Sequence, residues 1–87
     1  MNAEELSELL ARLGVPVLGH WRWPGNENYG GLIRVTDTIH IEVPEEGAGA
    51  CVVVGLLDTQ ELRFYTPRTE IRELIYDLVE AGAVVLH

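Results

Sequence analysis

Leu6, Leu9, Leu10 and Leu13 recur at i, i+3, i+4 and i+7, one apolar stripe in an otherwise polar opening segment. The spacing predicts a first helix. Asn2 stands before it as a cap, with Glu5 three residues on in a box-like pattern. Gly14 stops it and Pro16 keeps it stopped. Glu4, Glu5 and Glu8 suit the helix dipole, and Glu8–Arg12 is a favourable i,i+4 pair.

From Val15 to Trp23 the period changes to two. Val15, Val17, Trp21 and Trp23 share a face, which predicts a strand with its Trp side chains toward the core and Pro16 at its start or edge. Residues 24–31 (Pro-Gly-Asn-Glu-Asn-Tyr-Gly-Gly) read as a loop. Leu32 to Thr36 and Thr38 to Val43 read as strands, either a tight hairpin about Thr36-Asp37 or one long strand bent there. Ile39, Ile41 and Val43 point one way, His40 and Glu42 the other. Residues 44–47 read as a turn. Ala50 to Leu57 is continuously apolar, the pattern of a central strand covered on both faces. Glu61 to Tyr65 returns after a turn at 58–60.

A second helix is expected over 67–81, with Thr66 as cap and Pro67 at its favoured first position. Ile71, Leu74, Ile75, Leu78 and Val79 form its buried stripe, Gly82 ends it, and Ala83 to Leu86 forms a last short strand. Its charge runs against its dipole: Arg68 and Arg72 sit early, Asp77 and Glu80 late. Glu73–Asp77 and Asp77–Glu80 are also like-charged neighbours. A local rule broken without local gain marks a candidate functional element. Thr69, Glu73, Asp77 and Glu80 project opposite the buried stripe, with Arg68, Arg72 and Tyr76 along one flank. The two helix–Gly–strand units echo one another, a pattern that any amphipathic helix docking on a sheet converges on. The order α-β-β-β-β-β-α-β predicts an α+β domain over 1–87, a mostly antiparallel sheet of about five or six strands with two helices on one face.

Composition narrows the function classes. The chain has 87 residues, 47% of them hydrophobic, enough for one core. Its formal charge is −8, which argues against direct contact with nucleic acid or an anionic membrane and fits a partner with a basic surface. All six bases are Arg, so lysine Schiff-base chemistry has no residue to use. Cys51 is the single cysteine, which leaves no intrachain disulfide. The polar, acidic start and the short apolar runs predict a cytoplasmic protein with no membrane span.

Candidate chemistry is sparse. Residues 47–50 (Gly-Ala-Gly-Ala) lead into a strand rather than a helix, so they do not form a phosphate cradle. Cys51, His40 and an acid such as Asp37 or Asp58 make a nucleophile set only on paper, because Cys51 lies in an apolar strand. His20, His40 and Glu42 include metal-ligand types, but His-x-Glu on a strand is the ordinary alternation of a solvent face. Ser7, the only serine, has no His at helical spacing. No catalytic residues, cofactor or metal are therefore expected.

The reading that remains is a non-enzymatic protein-interaction module. Its expected contact residues are Asn28 and Tyr29 in the loop and Arg68, Arg72, Glu73, Tyr76, Asp77 and Glu80 on the second helix. The partner is expected to be a basic, nucleic-acid-handling protein, blocked in the manner of a phage anti-defence inhibitor. Arg68 and Arg72 beside free backbone N–H groups offer a phosphate or carboxylate site instead. A self-associating assembly subunit, monomer or homodimer in solution, is the second reading. A small enzyme or ligand binder using His20, His40, Glu42 and Cys51 is the third.

Overall fold

The structure is a computed structural model and describes residues 2–22, 29–45, 49–55 and 61–84. Asn2 caps helix α1 (Ala3–Arg12) as expected, its side-chain oxygen accepting the Glu5 N–H at 2.9 Å. At the other end Gly14 takes φ +86°, its N–H donates to the Ala11 carbonyl, and the Val15 N–H donates to the Leu10 carbonyl at 2.9 Å. That pair of reverse bonds is the Schellman closure. It turns the chain so that Val15 packs with Leu10 in the core. Leu6 and Leu10 are buried and Leu9 is half-buried, but Leu13 is exposed, beyond the last helical turn.

Five strands follow among the described residues: β1 (Gly19–Trp21), β2 (Tyr29–Arg34), β3 (Ile39–Glu45), β4 (Cys51–Val54) and β5 (Arg63–Phe64). They form one antiparallel sheet in sequence order. Residues 35–38 close a hairpin between β2 and β3, which decides against a single bent strand. The Thr36 hydroxyl accepts the N–H groups of Thr38 and Ile39 at 3.2 and 3.0 Å, the side-chain turn that Ser and Thr favour.

Register assigns the faces, since paired residues project together. Gly31, Ile33, Ile39, Ile41, Val43 and Val52 share one face through the pairs Gly31↔Val43, Ile33↔Ile41, Ile41↔Val52 and Ile39↔Val54. Leu6 and Leu10 of α1 pack there, as do Leu74 and Leu78 of the second helix, α2 (Ile71–Ala81). Both helices therefore cover the same face, and the α+β architecture is as the hydrophobic pattern predicts. Ala3 approaches β2 at Gly31 (φ +115°), where an added Cβ would lie 2.7 Å from the Ala3 Cβ and would collide with the Trp21 carbonyl oxygen. Only glycine lets α1 sit this close.

Several boundaries differ from the sequence expectation. β1 is three residues long and Trp21 is half-exposed. Paired with Leu32, it lies on the face away from the helices, so it does not fill the core. Trp23 lies outside the described residues. Tyr29, Gly30 and Gly31 belong to β2 rather than to a loop, and Pro44 and Glu45 continue β3 rather than turning. β3 holds the centre of the sheet; β4 lies one strand from the edge, though Cys51, Val52 and Val53 are all buried. Ala83 and Val84 are not in a strand, and the rest of the expected last strand lies outside the described residues.

The largest correction concerns α2. It begins at Ile71, not at Pro67, and Glu70 stands at its N-cap without a side-chain cap bond. Thr66 does not cap it. The cause is backbone pairing: Arg68 N–H donates to the Ala50 carbonyl and Ala50 N–H to the Arg68 carbonyl, each at 2.7 Å. A residue that extends the β4 edge in this way cannot also be helical. Gly82 ends the helix at φ +92°, with Ala83 N–H donating to the Leu78 carbonyl at 2.9 Å, the closure already seen in α1.

Candidate functional site

Arg68 thus stands outside α2 and folds its side chain back onto it. Its guanidinium donates to Asp77 through Nε at 2.7 Å and Nη2 at 3.2 Å, and Nη1 lies 3.7 Å from the Glu73 carboxylate. Asp77 is buried, not projecting into solvent as its spacing suggests. The bond to Asp77 holds the Arg68 guanidinium protonated beyond its ordinary range. Two of the charges that made α2 look reversed are therefore one internal pair. The phosphate-binding reading loses Arg68, whose fork is occupied by carboxylates.

The other predicted contact residues divide plainly. Arg72, Glu73, Tyr76 and Glu80 are exposed on α2. Tyr76 is 62% exposed, high for an aromatic side chain. Tyr29 pairs with Glu45 at the start of β2, away from α2 in sequence and sheet order, and its side chain is outside the described set. Asn28 is outside the described residues.

The outward side of α1 is acidic as well, beyond the contact residues expected from the sequence. Glu4, Glu5 and Glu8 are exposed there, on a helix that covers the same sheet face as α2. Their signal was present in the sequence, but it served only to satisfy the dipole of α1. Together with Glu70, Glu73 and Glu80 they give the helical layer an acidic outer side, against which Arg12 and Arg72 are the exposed helical bases.

Between the two helices lies an open cleft of about 170 Å³. Leu6 and Leu9 of α1, Ile71 and Leu74 of α2, and Val43 and Ala50 from the sheet make its apolar walls and floor. Arg68, Thr69 and Glu70 form a polar rim.

The opposite sheet face carries the remaining reactive side chains. His40, Glu42 and Cys51 share it: Glu42 pairs directly with Cys51, and His40 pairs with Val53. His20, paired with Ile33, projects from the other face, so the two-His-plus-carboxylate set does not assemble. Among the described residues no group of three His, Cys, Asp or Glu side chains is arranged to hold a metal ion. Burial lowers the pKa of His40, opposed by Glu42 and assisted by Arg34. Burial also raises that of Cys51, reinforced by Glu42, while its contact with the Tyr65 carbonyl pulls the other way. An imidazole pushed toward its neutral form and a thiol pushed toward its protonated form are the opposite of an activated Cys–His couple.

Among the described residues no helix is long and apolar enough to cross a membrane. No protein-family model, curated protein or solved structure matches this chain.

Proposed function

We propose that this chain is a protein-binding domain that meets a basic partner surface with the outward sides of α1 and α2. One observation carries the reading: both helices lie on one sheet face and expose Glu4, Glu5, Glu8, Glu73 and Glu80 together. Like charges gathered on one side of a small domain steer association with a surface of opposite sign and make it salt-dependent. Tyr76 and Arg72, on the flank of α2, are of the residue types that dominate binding energy at interfaces. An inhibitor that covers the basic surface of a nucleic-acid-handling protein, as a phage anti-defence protein does, is the specific form of this reading that a charge of −8 supports. The test is capture from a lysate of the source organism at low and moderate salt, followed by cross-linking of the retained protein. Cross-links from α1 and α2 to a basic partner released by salt fit the reading; cross-links confined to the opposite sheet face reject it.

Self-association is the second reading. Among the described residues β1 is an outer strand of the sheet, and Leu18 and Trp21, 62% and 50% exposed, lie next to and within it. An outer strand flanked by apolar side chains is a template for a second copy. Light scattering over a concentration series decides it, and a strict monomer excludes it.

A further inference from the structure

The acidic layer says what sign of charge a partner carries; the cleft beneath it says more. Resting on the reading above, we infer that the α1–α2 cleft takes a single large apolar side chain from a short basic segment of the partner, with Lys or Arg on either side of that anchor. Three observations carry this.

The first is size. A cavity of roughly 150 Å³ lined by aliphatic side chains holds one benzene ring, so about 170 Å³ admits one Leu, Met or Phe side chain. The second is lining. Leu6, Leu9, Val43, Ile71 and Leu74 offer no hydrogen-bonding side-chain group, so the group that enters gains by leaving water rather than by polar recognition. The third is the surrounding charge. Glu70 is on the rim, Glu5 lies one turn before Leu9 on the same flank of α1, and Glu73 is three residues beyond Glu70 on α2. Arg68, the cation at the rim, is already held by Asp77 and Glu73. The N-terminal end of α2 adds a partial positive charge, and Glu70 and Glu73 stand directly on it. An anchor flanked by cations fits this rim; one flanked by carboxylates meets the acidic layer with like charge.

The test uses the whole chain with labelled Leu and Ile methyl groups and three synthetic pentapeptides, followed by NMR. One has leucine between two pairs of lysines. The second replaces that leucine with serine. The third keeps leucine but has glutamates for lysines. The expected result is that the leucine–lysine peptide binds about tenfold or more tightly than the serine–lysine one. It should shift the methyls of Leu6, Leu9, Ile71 and Leu74, while the glutamate peptide binds least. Leu9→Ser, at a half-buried position, should erase the leucine preference while circular dichroism remains that of the wild type. Equal binding of the two lysine peptides, without cleft methyl shifts, overturns the cleft inference and leaves the acidic-face reading standing. Stronger binding of the glutamate peptide, or no binding of either lysine peptide, overturns both.

Discussion

The Arg68 guanidinium grips the Asp77 carboxylate through two hydrogen bonds, at 2.7 and 3.2 Å, joining the segment that extends β4 to the second turn of α2. Asp77 is buried while Arg68 is one-third exposed, so removing the cation strands a carboxylate in the interior. Breaking such a pair costs more than replacing it. Arg68→Ala is expected to lower Tm by at least about 5 °C, and Arg68→Lys to recover only part of this because an ammonium cannot reproduce the planar fork. Thermal unfolding by circular dichroism measures both. An Arg68→Ala variant as stable as the wild type would show the pair to be idle.

His40 gives the fold a pH dependence whose sign follows from its depressed pKa. The unfolded chain protonates this imidazole near its ordinary value of 6.5, whereas the folded chain resists. Stability from His40 is thus complete above about pH 6.5 and lost as pH falls toward the lower folded value. Urea unfolding between pH 7.5 and 5 should show a declining midpoint, and His40→Gln should flatten that decline. A decline unchanged in His40→Gln assigns the acid sensitivity to other groups.

Cys51 is expected to be inert in the folded protein. Its thiol is buried, donates to the Tyr65 carbonyl and is held protonated. Labelling with a chromogenic disulfide at pH 8 should run on the order of a hundredfold slower than in denaturant. Labelling at the unfolded rate would reopen a thiol-based enzymatic role for the face that Cys51 shares with His40 and Glu42.

Two glycines in left-handed backbone separate strain from collision. At Gly82 an added Cβ meets nothing within 4 Å, so Gly82→Ala should cost only the left-handed backbone penalty, about 1–2 kcal/mol. At Gly31 the same Cβ runs into the Trp21 carbonyl oxygen and Ala3. Gly31→Ala should therefore destabilise distinctly more, through the docking of α1. Denaturant midpoints compare the two, and equal losses would mean that α1 does not depend on this close approach.

Much of the fold is legible in the chain because local signals agree with tertiary demand. Asn2, the leucine stripe and Gly14 specify α1 from cap to closure, and the alternation of Ile39 to Val43 specifies β3 and its inward face. The start of α2 is not legible. Pro67 and Thr66 are good helix openers, yet Arg68 finds a backbone partner in Ala50, eighteen residues earlier, and no local rule registers that contact. The candidate site fails for the same reason. Asp77 looks exposed by its helical phase, and only the returning Arg68 side chain explains its burial. Glu4, Glu5 and Glu8 were visible in the sequence, but their alliance with Glu73 and Glu80 requires knowing that α1 and α2 share a sheet face. The outward place of Trp21 is not legible either, because strand alternation indicates which residues share a face, not which face the helices cover.

Binding of a basic partner by the shared acidic side of α1 and α2 is open to a simple comparison. The experiment is a paired capture with the wild type and with a variant carrying Glu4→Gln, Glu5→Gln, Glu8→Gln, Glu73→Gln and Glu80→Gln, all at exposed positions. The retained proteins would be compared by mass spectrometry at two salt concentrations. The expected result is a basic protein held by the wild type at low salt, released as salt rises, and absent from the variant. The same partner retained equally by both baits would contradict it.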